Sequence, residues 1–225
     1  MSMEETPLIT IPKSKLSSMI SKIESSDLES KIQYKKLFQI YYESNIPVDY
    51  WNKSVSKDNE ILMNIYNDYS KDLKSSFIDG RSMILSGKNG VGKTTLLTFI
   101  LKTAIKQDYT CFYTNLFDIV SVLTTAPNQD RFNSKQILVK SDFLVIDEFD
   151  DRFILSNSAS DLYISILETV LRTRLQNKLP IFLSTNSPNI LKSINGTLQT
   201  SLESLFNKIE QHSIFGADLR IKNAK

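Results

Sequence analysis

A glycine-rich run in the first half of the chain, SGKNGVGKTTLL from Ser86 to Leu97, has the residue types needed to bind phosphate. Its spacing fits the pattern G-x-x-x-x-G-K-[ST], which ends in Gly92, Lys93 and Thr94. Glycines let the backbone wrap closely around an anion, so that successive N–H groups face its oxygens. Lys93 would add a positive charge at the β- and γ-phosphates, and the Thr94 hydroxyl would bind Mg²⁺. The run therefore predicts a site for a nucleoside triphosphate with Mg²⁺.

The segments on either side of this loop have the structure that such a motif requires. SMIL (Ser82 to Leu85) is typical of a short buried strand, and TTLLTFILKTAI (Thr94 to Ile105) is typical of a helix. A glycine-rich turn without a ligand is the alternative, but it would not need a strand before it and a helix after it. The predicted nucleotide-binding residues are Gly87, Lys88, Asn89, Gly90, Val91, Gly92, Lys93, Thr94 and Thr95.

A second run, SDFLVIDEFDD from Ser141 to Asp151, predicts an apolar strand that ends in acidic residues. Asp147, at the end of the strand, would hold the Mg²⁺ shell together with Thr94. Glu148 could orient or deprotonate a water molecule for attack on the γ-phosphate, so two consecutive acids indicate hydrolysis as well as binding. The alternative is an acidic helix start, which Asp150 and Asp151 also fit.

Asn186 is the third candidate for catalysis, because it follows the predicted strand IFLSTN directly. In open α/β sheets the ligand binds at the carboxyl ends of the strands, where the glycine-rich loop of residues 87–94 (the P-loop) and Asp147 are also predicted to lie. An amide at this edge could contact the γ-phosphate or the attacking water. Ordinary turn chemistry in TNSPN is the alternative, and position alone does not decide between the two.

The rest of the chain alternates predicted strands and helices, which favours an α/β fold with a central parallel sheet. After the P-loop helix, TCFYTN (Thr110 to Asn115) predicts a strand and LFDIVSVLTT (Leu116 to Thr125) a helix. APNQDRFNSKQ (residues 126–136) is predicted to be a polar connection, and DLYISILETVLRTRLQNKLP (residues 161–180) contains a helix before the strand that bears Asn186.

Composition narrows the class of protein further. A chain of 225 residues with 41% hydrophobic residues suits one α/β domain and a small appendage. The single cysteine, Cys111, and the single histidine, His212, leave neither an internal disulfide nor a Cys/His zinc site. The net charge of +2 permits nucleic-acid binding without indicating it. The apolar runs are too short to span a bilayer and the N-terminus lacks a signal pattern, so we expect a soluble, unexported protein.

The first 44 residues do not resemble a nucleotide-binding core and instead predict two short amphipathic helices. The second of them opens with a capping box at Ser26 and Glu29. Two such helices bury little by themselves, so their apolar stripes must pack either on the core or on a partner. The stripe residues are Leu16, Met19, Ile20 and Ile23 in the first helix, and Leu28, Ile32, Leu37, Phe38 and Tyr41 in the second.

Taken in order, GKNGVGKTT, LVIDEF and RLQNKLPIFLSTN resemble the AAA+ ATPases of the DnaC/DnaI replicative-helicase loader family, to which the IstB transposition ATPases are related. NIPVDYW (Asn45 to Trp51) is similar to the segment that leads into the family's core, and FGADLR (Phe215 to Arg220) resembles its closing strand. The resemblance implies a P-loop AAA+ ATPase core with a central parallel sheet in residues 45–225, preceded by a helical helicase-docking arm in residues 1–44.

By this resemblance the protein would use ATP and Mg²⁺ to deliver a hexameric replicative helicase onto single-stranded DNA during replication. It would associate with itself or assemble on the helicase ring, in the cytoplasm of a bacterium or of a bacteriophage-infected cell. Asn186 would be the residue that senses the γ-phosphate. Arg174 matches a basic position whose implied role is at the nucleotide or at a neighbouring subunit, and Arg131, Lys135 and Lys140 occupy the segment implied to contact DNA.

One departure from the family concerns hydrolysis. The family's penultimate helix carries an arginine finger, whereas TSLESLFNK (Thr200 to Lys208) contains no arginine. Either Arg172, Arg174 or a partner's residue replaces it, or hydrolysis is slow and ATP acts mainly as a structural clamp. Two alternatives to a loader therefore stay open: an IstB-like transposition ATPase that works with a transposase on duplex DNA, and a nucleotide-gated adaptor with negligible hydrolysis. An ABC-type ATPase is disfavoured because no LSGGQ-like signature precedes LVIDEF.

Overall fold

A computed structural model of the chain describes residues 28–56, 59–149, 160–187 and 197–216, together with Leu219. The first predicted amphipathic helix lies outside these residues. The described elements are α1 (Leu28–Glu43), a 3₁₀ helix (Val48–Tyr50), α2 (Glu60–Ser70), α3 (Leu73–Ile78), β1 (Met83–Ser86), α4 (Lys93–Ile105), β2 (Cys111–Asn115), α5 (Leu116–Thr125), α6 (Asn128–Lys140), β3 (Phe143–Asp147), α7 (Ser160–Gln176), β4 (Ile181–Thr185), α8 (Thr197–Phe206) and β5 (Glu210–Ser213).

The five described strands form one parallel sheet in the order β2-β3-β4-β1-β5. Because the strands are parallel, their carboxyl ends lie at the same edge. Ser86 pairs with Thr185 there, and Asn115 pairs with Asp147. The predicted α/β fold with a central parallel sheet is therefore confirmed.

Helices cover both faces of the sheet, which explains the uninterrupted apolar strand FLVI. In β3, Phe143 and Val145 point into a core formed with α4, whereas Leu144 and Ile146 point into a core formed with α5, α7 and α8. Alternation of side chains along the strand thus supplies residues to two cores. Every described residue of β3 is buried as a result.

Three stretches differ from the sequence-based expectations. The predicted polar connection at residues 126–136 is mostly helix α6, whose only described buried residue is Leu138. A helix that buries so little has no apolar stripe to reveal it. Helices α2 and α3 were not predicted at all. They are capped at their N-termini by Asn59 and Asp72, whose side chains accept hydrogen bonds from backbone N–H groups of the first turn.

The last described strand is β5, which ends at Ser213 and so precedes the predicted closing strand FGADLR. Within FGADLR, Phe215 and Gly216 have no regular structure, and residues 217, 218 and 220 lie outside the described part of the chain. Further along, the N–H of Leu219 donates a hydrogen bond to the carbonyl oxygen of Gly90 in the P-loop, at 2.9 Å. Leu219 therefore lies beside the P-loop, at the nucleotide-binding edge.

Helix α1 confirms the second predicted helix of the arm from Leu28 onwards and shows where part of its stripe packs. Phe38 and Tyr41 are buried against Trp51, with ring centroids 5.3 Å and 6.3 Å from the tryptophan ring. These two aromatic residues therefore belong to the protein's own core. Ile32 and Ile40, by contrast, are 48% and 43% exposed.

Lys102 of helix α4 fixes the segment that follows α1. Its buried ammonium donates hydrogen bonds to the backbone oxygens of Tyr50 (2.7 Å), Trp51 (3.2 Å) and Lys53. Three acceptors match the three N–H bonds of a protonated lysine. Burial nevertheless lowers the pKa of Lys102 to about 8, because a charged group loses hydration there.

Arg174 lies far from the P-loop, and this corrects the expectation that it acts at the nucleotide or at a neighbouring subunit. Its side chain is 0% exposed and donates hydrogen bonds to the carbonyl oxygens of Leu138 (2.9 Å), Asp142 (3.1 Å) and Pro180 (2.7 Å). Asp142 and Pro180 immediately precede β3 and β4, so the guanidinium holds the amino ends of these strands, at the opposite edge from Asp147. Burial lowers its pKa to about 10.

We expect Arg174→Met to destabilise the fold, because three carbonyl oxygens would lose the hydrogen bonds of the guanidinium. One of them, that of Pro180, keeps a second donor, the N–H of Leu144. Leaving a buried polar group unsatisfied costs about 1–3 kcal/mol, so the free energy of unfolding should fall by about 2 kcal/mol or more. Urea unfolding measures this change. Arg172→Met is the matched control: Arg172 is half-exposed on the same helix, and the loss of its ion pair with Glu168 should cost about 0.5 kcal/mol. A stable Arg174→Met variant with reduced nucleotide affinity would restore the original expectation.

Candidate nucleotide site

The P-loop has the backbone geometry that its glycines predict. Gly92 caps helix α4 with φ 99°, in the left-handed region, and a Cβ at this position would lie 2.6 Å from a methyl carbon of Leu62. A Cβ at Gly87 would lie 2.4 Å from the carbonyl oxygen of Ile214. Larger residues therefore do not fit at either position. The loop leads directly into the N-terminus of α4, where backbone N–H groups favour an anion.

Lys93, the first residue of α4, points back into the loop. Its buried ammonium donates hydrogen bonds to the carbonyl oxygens of Gly87 (2.7 Å) and Lys88 (2.9 Å) and to Oδ1 of Asn186 (2.8 Å). The structure thus brings Asn186 from the end of β4 to the P-loop lysine, more than 90 residues away in sequence. A cation and a side-chain amide side by side form a suitable surface for a terminal phosphate.

Asp147 lies beside the loop at the end of β3 and is buried. Its Oδ2 accepts hydrogen bonds from Oγ1 of Thr94 (2.7 Å) and from the hydroxyl of Tyr113 (2.5 Å). Its Oδ1 accepts from the N–H of Glu148 (3.0 Å) and from the hydroxyl of Ser184. A carboxylate next to a threonine hydroxyl is a set of hard oxygen donors, which is what Mg²⁺ requires when water and phosphate complete its shell. The residues present therefore fit the predicted metal.

Glu148 marks the point where the chain leaves the strand. Its φ is 54°, in the left-handed region, where a residue with a side chain is held at a cost of about 1–3 kcal/mol. Hydrogen bonds on both sides hold this conformation: the N–H of Glu148 donates to Ser184 Oγ (3.2 Å), and the N–H of Phe149 donates to the carbonyl of Ser184 (2.8 Å). The Glu148 side chain is exposed at the nucleotide-binding edge, where a base would need to meet water.

Sequence reasoning missed two residues of this site, Tyr113 and Ser184. Ser184 is a buried hydroxyl within an otherwise apolar strand, and such a residue could have been recognised as needing a partner. Tyr113 lies two residues before the end of β2, where the strand register pairs it with Val145 and places Asp147 on the diagonal. Burial, together with the charge of Asp147, raises the pKa of the Tyr113 hydroxyl, so this group stays protonated and can donate.

The remaining predicted residues lie elsewhere. Arg172 donates hydrogen bonds to Glu168 (2.6 Å) and to Ser201 (2.9 Å), on a surface formed by α7 and α8. Arg131, Lys135 and Lys140 all belong to helix α6, and the two lysines are exposed. Over the described parts of the chain, no cluster of three or more His, Cys, Asp or Glu side chains could hold a metal. No helix in those same parts is long and apolar enough to cross a membrane.

Comparisons with solved structures find the same fold in replication proteins. DnaI has 16% sequence identity and a TM-score of 0.61, and the match covers 76% of this chain and 93% of DnaI. A structure of the DnaC helicase loader has 16% identity and a TM-score of 0.57, with 75% of this chain and 100% of the solved loader chain covered. The replication initiator DnaA bound to AMPPCP and single-stranded DNA has 18% identity and a TM-score of 0.59, with 79% of this chain covered.

For some of the matching structures, the chain covers only part of the solved chain. The chain spans 53% of that DnaA and 48% of a matching DNA replication initiation factor, which is about half of each. Among curated proteins, no sequence matches this chain.

At the sequence level, the family described as IstB-like ATP binding protein matches residues 66–187. This range contains the P-loop, Asp147 and Asn186, the residues that the fold brings to one edge. It also covers more than half of the chain. With its P-loop AAA+ ATPase fold, the chain therefore belongs to the family of IstB-like ATP-binding proteins.

Proposed function

We propose that this protein is an Mg²⁺-dependent ATPase that loads a hexameric replicative helicase onto single-stranded DNA. The observation that carries the ATPase part is the convergence of Lys93, Thr94, Asp147 and Asn186 at the carboxyl edge of the sheet. The loader part is supported by the fold that the chain shares with DnaI and with the DnaC helicase loader.

Each residue of the site has a separate role in the proposed reaction. Lys93 and the loop N–H groups bind the phosphates, and Asn186 contacts the γ-phosphate. Thr94 and Asp147 would hold Mg²⁺, which neutralises charge on the β- and γ-phosphates when bound. Glu148, exposed at this edge, takes a proton from the attacking water. Because Thr200 to Lys208 lacks an arginine, we propose that the isolated chain hydrolyses ATP slowly.

Helix α1 offers a surface for the helicase. Ile32 and Ile40 are eight positions apart and so lie on one face of the helix, and both are about half exposed while Phe38 and Tyr41 pack inward. An exposed apolar face next to a packed one suits docking by the arm. The exposed lysines Lys135 and Lys140 on α6, with Arg131, are the proposed contacts to single-stranded DNA, since a groove built by several subunits needs only a few charges from each.

An IstB-like transposition ATPase is the second candidate, and the family match itself favours it. Such a protein would share the nucleotide site but would bind a transposase and duplex DNA. A nucleotide-gated adaptor would share the site as well, with negligible turnover. Identifying the protein that binds α1 would distinguish a helicase loader from a transposition ATPase. Measuring ATP hydrolysis would distinguish both from an adaptor.

Glu148→Gln should bind ATP normally and hydrolyse it at least about 100-fold more slowly, because an amide cannot accept the proton of the attacking water. Hydrolysis is measured by phosphate release with and without single-stranded DNA, and binding by a fluorescent ATP analogue. Lys93→Ala is the control that should lose binding. Normal turnover by Glu148→Gln would mean that another residue is the base.

Changing Ile32 and Ile40 together to Asp should abolish co-purification with the host's hexameric replicative helicase while ATP affinity stays unchanged. Each buried isoleucine contributes about 1.5–3 kcal/mol, so the pair should weaken binding by roughly 100-fold to 10,000-fold.

The matched control changes Ile61 and Ile78 to Asp, because these isoleucines are similarly exposed (46% and 58%) but lie on α2 and α3. It should bind the helicase as well as the unaltered protein does. If the α1 variant still co-purifies with the helicase, α1 is not the docking surface. Capture of a transposase instead of a helicase by the unaltered protein would favour the second candidate.

A further inference from the structure

We propose that Tyr113 is a positioning residue that fixes the carboxylate of Asp147 for Mg²⁺ binding. The inference deepens the function proposed above and rests on it, because it assumes that Asp147 serves the metal site. It concerns a residue outside the P-loop and outside the acidic run that follows β3.

The register of the sheet explains why Tyr113 reaches Asp147. Tyr113 pairs with Val145, and Asn115 pairs with Asp147. Side chains alternate along a strand, so Tyr113 lies on the same face as Asp147 but on the diagonal, where backbone positions are about 7–8 Å apart. A phenol is long enough to span this gap, and its hydroxyl lies 2.5 Å from Oδ2 of Asp147.

The residue directly opposite Asp147 is used for another purpose. Asn115 caps helix α5: its Oδ1 accepts a hydrogen bond from the N–H of Asp118, and its Nδ2 donates to the Asp118 carboxylate, each at 2.8 Å. Tyr113 is thus the residue of β2 that supplies a donor to the metal carboxylate.

The hydrogen bonds around Asp147 indicate what the Tyr113 hydroxyl does. Ser184 and the N–H of Glu148 hold Oδ1, and Thr94 and Tyr113 hold Oδ2. With both oxygens bound, rotation of the carboxylate plane is restricted. The Thr94 hydroxyl would also be a metal ligand, so its bond to Oδ2 must adapt when Mg²⁺ binds. The Tyr113 hydroxyl would not ligate the metal and can keep Oδ2 in place throughout.

Hydrogen bonds at the outer edge of β2 hold the backbone of Tyr113. Its N–H donates a hydrogen bond to the carbonyl oxygen of Ser44, and its carbonyl oxygen accepts one from Nδ2 of Asn45, each at 2.9 Å. Ser44 and Asn45 follow helix α1 directly. Since β2 is an edge strand of the described sheet, these bonds satisfy backbone groups that would otherwise lack a strand partner. They also connect the end of α1 to the metal carboxylate through one residue.

Tyr113→Phe tests the proposal because it removes the hydroxyl and keeps the ring. Affinity for a fluorescent ATP analogue is measured in EDTA and in a series of Mg²⁺ concentrations. We expect unchanged affinity in EDTA and a rise of about tenfold in the Mg²⁺ concentration that gives half of the metal-dependent gain, as is typical when the partner of a metal ligand is lost. The matched control is Tyr66→Phe, which removes a hydroxyl bonded to Thr103 near the C-terminal end of α4, and it should behave like the unaltered protein.

Each other outcome overturns the proposal. An unchanged Mg²⁺ midpoint in Tyr113→Phe would show that the hydroxyl does not position Asp147. Equal weakening in EDTA and in Mg²⁺ would show that Tyr113 supports the fold, which thermal unfolding would then report as well. If the affinity of the unaltered protein for the analogue did not depend on Mg²⁺, the proposed function would fail together with this inference. If the inference alone were wrong, the unaltered protein would still show that dependence, so the two failures are distinguishable.

Discussion

Burial of helix α4 against the sheet is the interaction on which the nucleotide site depends. Leu96, Leu97, Ile100 and Leu101 are completely buried, and each contributes about 1.5–3 kcal/mol by leaving water. The same helix begins at Lys93 and places Thr94 against Asp147. Its far end carries Lys102, which fixes the backbone after the arm. Hydrophobic packing of α4, several residues beyond the P-loop, therefore fixes the position of the loop. The polar groups of the site are placed by the same packing.

The sequence was most informative where function and structure are local. The P-loop spacing, the acids after β3 and the amide after β4 could be recognised because each follows directly from a strand end, and the apolar strands could be recognised because the sheet is buried on both faces. Helix α6 was missed because it buries only Leu138 of its described residues and so lacks a stripe. Arg174 was misassigned because its partners are backbone carbonyls, up to 36 residues away, which carry no sequence signal.

Tyr113 and Ser184 illustrate a further limit. Tyr113 belongs to no motif, and Ser184 lies within IFLSTN without a predicted role. Their contacts with Asp147 can be inferred only once strand order and register are known. The site is thus built in two layers. Motif residues form the proposed nucleotide site, and residues outside the motifs, brought there by the strand order, hold the motif residues in place. The left-handed backbone at Glu148 belongs to the second layer, since Ser184 binds the N–H groups on both sides of it.

The strand order also determines when the site can form as the chain is made. Strand β1, which carries the P-loop, lies between β4 and β5, and both of these follow it by about a hundred residues or more. At about 5–20 residues per second, a ribosome needs several seconds to supply those partners. Until then Met83, Ile84 and Leu85 have no strand beside them, and ATP has no completed loop to bind. During this interval the P-loop of the nascent chain is already synthesised but cannot yet bind a nucleotide. Strand β1 is apolar and unpaired at that stage, so protection by a chaperone would be advantageous.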